Sequence, residues 1–107
     1  MNVSSGTGSL TWATDPQSRH WSGRYSAYRS SKTALNALTV FYAHTLAHDG
    51  IKVNALAPGL RRTDLNVAAA SGGDPAEAAA GAVRLALLTD DGPSGEFFSW
   101  DGTPVPW

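Results

Sequence analysis

The sequence predicts an α/β domain: a three-stranded parallel sheet with two main helices, in the order strand, helix, strand, helix, strand. Three observations predict it. Short apolar runs alternate with longer stretches of helical periodicity, the pattern of a parallel sheet joined by right-handed crossovers. Each helical stretch carries a boundary signal, Gly50 after the first and Asp74-Pro75 before the second. The 107 residues hold one domain, residues 1–107, and no more.

Met1 to Ser5 is the tail of a strand, and Gly6 to Gly23 is loop-like, with Asp15, Pro16 and a scatter of Ser and Thr. From about Ser26 to His48 the pattern is helical. Leu35, Leu38, Tyr42 and Leu46 recur at helical spacing, with an adjacent stripe of Ala34, Ala37, Phe41 and Thr45. Two stripes predict packing against both the sheet and a second surface. Ile51 to Leu56 is a strand ended by Pro58-Gly59. Leu60 to Gly73 is irregular, with a helical turn near Asp64. Asp74 caps a second helix that runs to about Leu88, with Ala79, Ala82, Val83, Ala86 and Leu87 on one face. Gly95 to Trp100 is the last strand.

Composition excludes several classes of function. With 16% charged and 42% hydrophobic residues the chain is globular rather than disordered. Eight basic and nine acidic residues in no long run give no electrostatic footprint for nucleic acid or an anionic membrane. No stretch approaches the ~18 apolar residues of a membrane span, and Met1-Asn2-Val3-Ser4-Ser5 is no export signal, so the expected location is cytoplasmic. Zero cysteines exclude disulfides, thiolate metal sites and a thiol nucleophile. His44 and His48 are four apart on a helix but lack the glutamate of a zinc motif, so no metal is expected.

In parallel sheets, ligands sit at the carboxyl ends of strands, here Ser4–Gly8 and Ala57–Asp64. Tyr28 and Lys32 lie four apart at the opening of the long helix and so share a face. An ammonium beside a phenol favours the phenolate and suits the tyrosine to acid/base work. The plain alternative is an aromatic with a snorkelling lysine on a solvated face. For Ser5 the plain alternative is a turn cap, and for Thr63 a helix cap. Asp90-Asp91 is a turn. Arg61-Arg62 could meet a phosphate or lie on a solvated loop.

Four motifs in order extend the reading: Asn2-Val3-Ser4-Ser5-Gly6; Tyr28-Arg29-Ser30-Ser31-Lys32 with Ala34-Leu35; Ile51-Lys52-Val53-Asn54-Ala55; and Pro58-Gly59 with Thr63. Together they resemble the short-chain dehydrogenase/reductases. The ending, Gly92 to Phe98 and on to Trp107, also resembles bacterial carbonyl-reductase-like members. The resemblance implies a partial Rossmann-like fold and NAD or NADP as cofactor, with a small carbonyl or alcohol as substrate. It implies that Ser5, rather than Ser4, hydrogen-bonds the substrate carbonyl. Tyr28 would be the acid/base, and Lys32 would hold the nicotinamide ribose and tune Tyr28. Pro58, Gly59, Leu60 and Thr63 would lie against the nicotinamide, and Leu65 to Gly73 would close over substrate.

The chain departs from that family in one large way. The Thr-Gly-x-x-x-Gly-x-Gly turn that cradles a dinucleotide pyrophosphate is absent, as are the adenine-ribose residue, the Asn-Ala-Gly strand end and the helix asparagine of the catalytic tetrad. The resemblance is therefore to the carboxyl-terminal, catalytic half. The spacing from Ser5 to Tyr28 exceeds the family's usual dozen or so, which implies an inserted Trp-bearing loop. The strand at Asn2–Ser5 lies mid-sheet in the family, so an open edge here implies a homo-oligomer. Three functions are weighed: a nicotinamide-dependent oxidoreductase or its catalytic portion; a cofactor-free remnant that binds or oligomerises; and, last, a repurposed Ser/Tyr/Lys hydrolase, for which no Gly-x-Ser-x-Gly elbow is present.

Overall fold

The structure, a computed structural model, describes residues 1–65 and 67–107. The strands β1 (Asn2–Val3), β2 (Ala55–Ala57) and β3 (Phe97–Ser99) form a parallel sheet in that order. Asn2 stands opposite Ala55, and Ala55 opposite Phe97. The helices are α1 (Leu10–Thr14), α2 (Ser26–Thr45) and α3 (Pro75–Ala86), with short 3-10 turns at Gly6–Gly8, Ala47–Asp49 and Val67–Ser71. The α/β class and the parallel topology are those the sequence predicts.

β2 is central and every residue of it is buried. A strand covered on both faces takes small and aliphatic side chains, which is why it reads Ala-Leu-Ala. Ala55, Ala57, Phe97 and Val105 make the core, with Trp12 and Trp107 packed against it. Phe97 and Trp107 stack with ring centroids 5.2 Å apart. The tail folds back along β3: Val105 N donates to Phe97 O at 2.8 Å, and Ser99 N to Thr103 O at 2.8 Å. The outer edge of β3 is thus paired by its own chain. The Trp107 carbonyl accepts from Thr11 N (2.9 Å) and Ser9 Oγ (3.3 Å), meeting a first-turn N–H of α1 that has no partner within the helix.

Several local expectations need correcting. The 6–23 segment is no simple loop, since it contains the Gly6–Gly8 turn and α1, which Ser9 caps by accepting from Trp12 N. The second strand lies at 55–57 rather than 51–56. Just ahead of it, Val53 N donates to Ser94 Oγ, and Asn54 binds Pro93 O and Glu96 N through its side chain. α2 turns neither apolar stripe to the sheet. Its buried residues are Asn36, Thr39 and Ala43, while Leu38, Phe41 and Tyr42 are exposed. The reason is polar: β1 and its turn present hydrogen-bonding groups, which Asn36 and Thr39 satisfy through Ser4, Gly8 and Asn2.

α3 ends at Ala86, and its buried residues are Ala78 and Gly81, whereas Val83 and Leu87 are exposed. Here the contact is backbone on backbone, because a Cβ at Gly81 would lie 2.4 Å from the Trp100 carbonyl oxygen. Asp74 caps α3 as expected, accepting from Ala76 N, and Gly50 closes the turn after α2 with φ +70°.

Candidate active site

The site forms where β1 ends against the first turns of α2. Ser4 N continues the ladder to Leu56 O at 2.7 Å. Its side chain is buried, and its O–H donates to Asn36 Oδ1 at 2.5 Å. Ser4 is therefore occupied structurally. Ser5 is half-buried and caps the Gly6–Gly8 turn, accepting from Thr7 N at 3.3 Å, and its Oγ lies 2.9 Å from Thr7 Oγ1. The turn-capping reading is thus realised. It still leaves Ser5 Oγ a proton to offer outward when the Thr7 hydroxyl donates to it.

The turn docks on α2 at very short range. A Cβ on Gly8 would lie 2.9 Å from the Lys32 carbonyl carbon, so only glycine lets the two backbones meet. Gly8 O accepts from Thr33 Oγ1 (2.9 Å) and Asn36 Nδ2 (3.3 Å). Lys32 Nζ donates to Val3 O at 3.1 Å and sits 5.7 Å from the Tyr28 ring centroid. Tyr28 itself is about half exposed. The structure thus brings the Ser5 turn and the Tyr28–Lys32 helix face together.

Pro58, Gly59, Leu60 and Thr63 follow β2, the immediate neighbour of β1, so they lie at the same end of the sheet. Gly59 turns the chain with φ +71°, and Leu60 and Thr63 are exposed. Among the described residues no hydrogen bond links this loop to Tyr28 or Lys32. The loop is instead braced from behind. Arg61 donates to Pro58 O (2.6 Å) and Asp74 O (3.3 Å), pairs with Glu77 at 2.5 Å, and lies 4.3 Å over the Trp100 ring. Its side chain is 9% exposed, so Arg61 cannot meet a phosphate, and that expectation falls. Arg62 donates to Gly72 O at 3.1 Å, which turns the 65–73 segment back along the loop. Within that segment Asn66 lies outside the described residues.

Three contributors were not evident from the motifs. Thr7 stands two residues from Ser5, the spacing of a hydroxyl turn. Asn36 lies four residues beyond Lys32, on the face that Tyr28 and Lys32 share, and that spacing is a readable signal. The third, the Trp12–His20 ring pair beside Gly6, has no local signal in the sequence.

The donor set fits the nicotinamide riboside portion of a dinucleotide: a phenol, an ammonium already donating to an oxygen, and an exposed backbone turn at Gly59. A pyrophosphate finds no such cradle among the described residues. The Thr11 and Trp12 amides of α1 are taken by Trp107 O and Ser9 Oγ, and that of Ala76 in α3 by the Asp74 carboxylate, while α2 opens without a side-chain cap but on left-handed Tyr25 rather than a glycine-rich turn. The apolar recess lined by Gly81, Leu85, Leu88 and Phe98 contains none of the candidate residues.

Comparison with known proteins agrees with this fold. The family described as enoyl-(acyl carrier protein) reductase matches residues 2–90. The chain is 43% identical over 81 residues to (-)-isopiperitenone reductase of Mentha piperita, a match covering 76% of this chain and 25% of that one. It superposes on the NADPH-bound carbonyl reductase from chicken fatty liver with a TM-score of 0.74 and 30% identity, over 98% of this chain and 41% of that one. The carbonyl reductase Sniffer of D. melanogaster gives 0.73 and 30%, over 98% and 39%. The chain therefore spans about a quarter of the length of the first curated relatives it matches.

Proposed function

This chain belongs to the short-chain dehydrogenase/reductase family, and on that premise we propose that it carries the catalytic site of a nicotinamide-dependent reductase acting on small carbonyl compounds, or on alcohols in reverse. The observation that carries the reading is the docking of the Ser5 turn on α2, with Lys32 Nζ 3.1 Å from Val3 O beside the Tyr28 ring. Ser5 Oγ hydrogen-bonds the substrate carbonyl oxygen, where negative charge builds. Tyr28 gives its phenolic proton to that oxygen, completing the alcohol. Lys32 holds the ribose hydroxyls of the cofactor beside the Tyr28 ring. Pro58, Gly59, Leu60 and Thr63 form the wall against the nicotinamide. When bound, NADH or NADPH supplies the hydride to the carbonyl carbon. The cofactor-free and hydrolase readings are not favoured by relatives such as (-)-isopiperitenone reductase and (+)-neomenthol dehydrogenase, whose names are those of oxidoreductases.

The test is a titration of the purified chain with NADPH, followed by nicotinamide fluorescence. Saturation in the micromolar range, weakened at least about tenfold by Lys32→Ala, supports the reading. Tyr28→Phe should bind and abolish turnover. No saturation up to millimolar cofactor would overturn it for this chain.

We place the protein in the cytoplasm, where the reduced nicotinamide pool lies, and as a homo-oligomer. Leu38, Phe41 and Tyr42 support the second point, since they expose an apolar stripe along α2.

A further inference from the structure

Residues 9–25 lie between Ser5 and Tyr28 and are fastened at two points that no role above uses. The His20 imidazole lies flat on Trp12, with centroids 4.9 Å apart and planes at 4°. The pair sits directly against the residue after Ser5. A Cβ on Gly6 would be 2.9 Å from the Trp12 ring and 3.7 Å from His20 Nε2. At the other end, Arg29 donates to His20 O (2.7 Å) and Ser22 O (2.5 Å), and Arg29 adjoins Tyr28. One residue thus meets both halves of the site, its ring at the Ser5 turn and its carbonyl at the Tyr28 helix.

The start of α2 depends on such outside support. Tyr25, just before it, is left-handed with φ +58° and gives the helix no side-chain cap. A non-glycine residue holds that conformation only where its surroundings impose it.

Resting on the reductase reading, we propose that neutral His20 is a positioning residue that sets Ser5 against Tyr28, and that its protonation loosens residues 15–25 and weakens cofactor binding. Arg19 Nε donates to His20 Nε2 at 3.2 Å, so that nitrogen is the acceptor and the ring carries its proton on Nδ1. A proton added at Nε2 removes the acceptor and sets a third positive charge beside Arg19 and Arg29. Trp12 and Gly6, the other groups against the ring, bring no charge, and among the described residues no carboxylate pairs with it. Burial, then Arg19, then Arg29 hold the imidazole below its ordinary value. The unfolded chain therefore takes up the proton first. The local structure is at full strength above the ordinary imidazole range and loses stability as the pH falls through it and on to the lowered value.

The experiment compares the wild-type chain with His20→Phe, which keeps the stack, and His20→Gln, which keeps an acceptor. Amide exchange of residues 15–25 is followed from about pH 7.5 to about pH 5.5. Calorimetric affinity for NADP+, the acid-stable form, is measured at the same points. On acidification the wild-type protection factors, exchange rates corrected for the intrinsic pH dependence, should fall and NADP+ should bind about tenfold more weakly, while both quantities change less than about twofold in the variants. Other titrating groups are common to all three chains, so the difference isolates His20. An equal acid response in either folded variant, or none in wild type, overturns the proposal. The exchange measurement needs no cofactor. Should NADP+ fail to bind at any pH while exchange still responds through His20, the strut stands and the reductase reading falls.

Discussion

Arg61 and Arg62 are adjacent and alike in sequence, yet the fold uses them differently. Arg61 is enclosed by Pro58 O, Asp74 O, Glu77 and the Trp100 ring, which nothing nearby in the sequence foretells. A Cβ on Gly73 would collide with its Nη1, so glycine at 73 leaves room for the guanidinium, whereas a Cβ on Gly72 would meet the Leu60 and Ala69 carbonyl oxygens. Arg61→Leu strips donors from two backbone carbonyls and should lower unfolding stability by about 1–3 kcal/mol in urea titration. Arg61→Lys should recover little of that, since an ammonium has no planar fork to span those acceptors and stack on indole. An unchanged midpoint in the Leu variant would show that the clamp carries no weight. Tyr28 and Lys32, by contrast, were legible at once, because a helical spacing of four says which side chains share a face. His20 was not, for its partners Trp12, Gly6 and Arg29 belong to three different elements.

The elements themselves announce where they begin more clearly than which way they face. Asp74-Pro75 and Gly50 mark their boundaries because caps act within a few residues of chain. Periodicity of apolar residues pointed to the wrong faces of both long helices. α2 docks through Asn36 and Thr39 and α3 through Gly81, so the contacts are polar or backbone and leave no apolar stripe to read. This predicts where helices tolerate change. Gly8→Ala and Gly81→Ala each drive a methyl into a facing backbone and should cost about 1–3 kcal/mol in denaturant unfolding, with Gly81 the larger. Leu38→Ser on the exposed side of α2 should cost less than about 0.5 kcal/mol in dilute, monomeric protein. Equal penalties would mean that α2 buries its apolar side after all.

For the molecule as a whole, the exposed α2 stripe favours the proposed homo-oligomer. Sedimentation velocity at micromolar concentration should show a dimer or larger species, and Phe41→Asp should shift it toward monomer. A monomeric wild type would remove that reading. The order of motifs along the chain was enough to foresee the parallel sheet and the strand ends at which the site lies. What it could not foresee is the closure of the tail, where residue 107 reaches back to residues 9 and 11 and stacks on Phe97. That closure has a consequence in time. During synthesis α1 emerges early, but the carbonyl that receives Thr11 N and the ring that covers Phe97 arrive some ninety residues later. β2 likewise waits for β3 before its second ladder can form. The sheet thus stays unfinished while the roughly ninety residues between α1 and Trp107 are made, and the exposure of that stretch to chaperones and proteases is set by translation speed as much as by final stability.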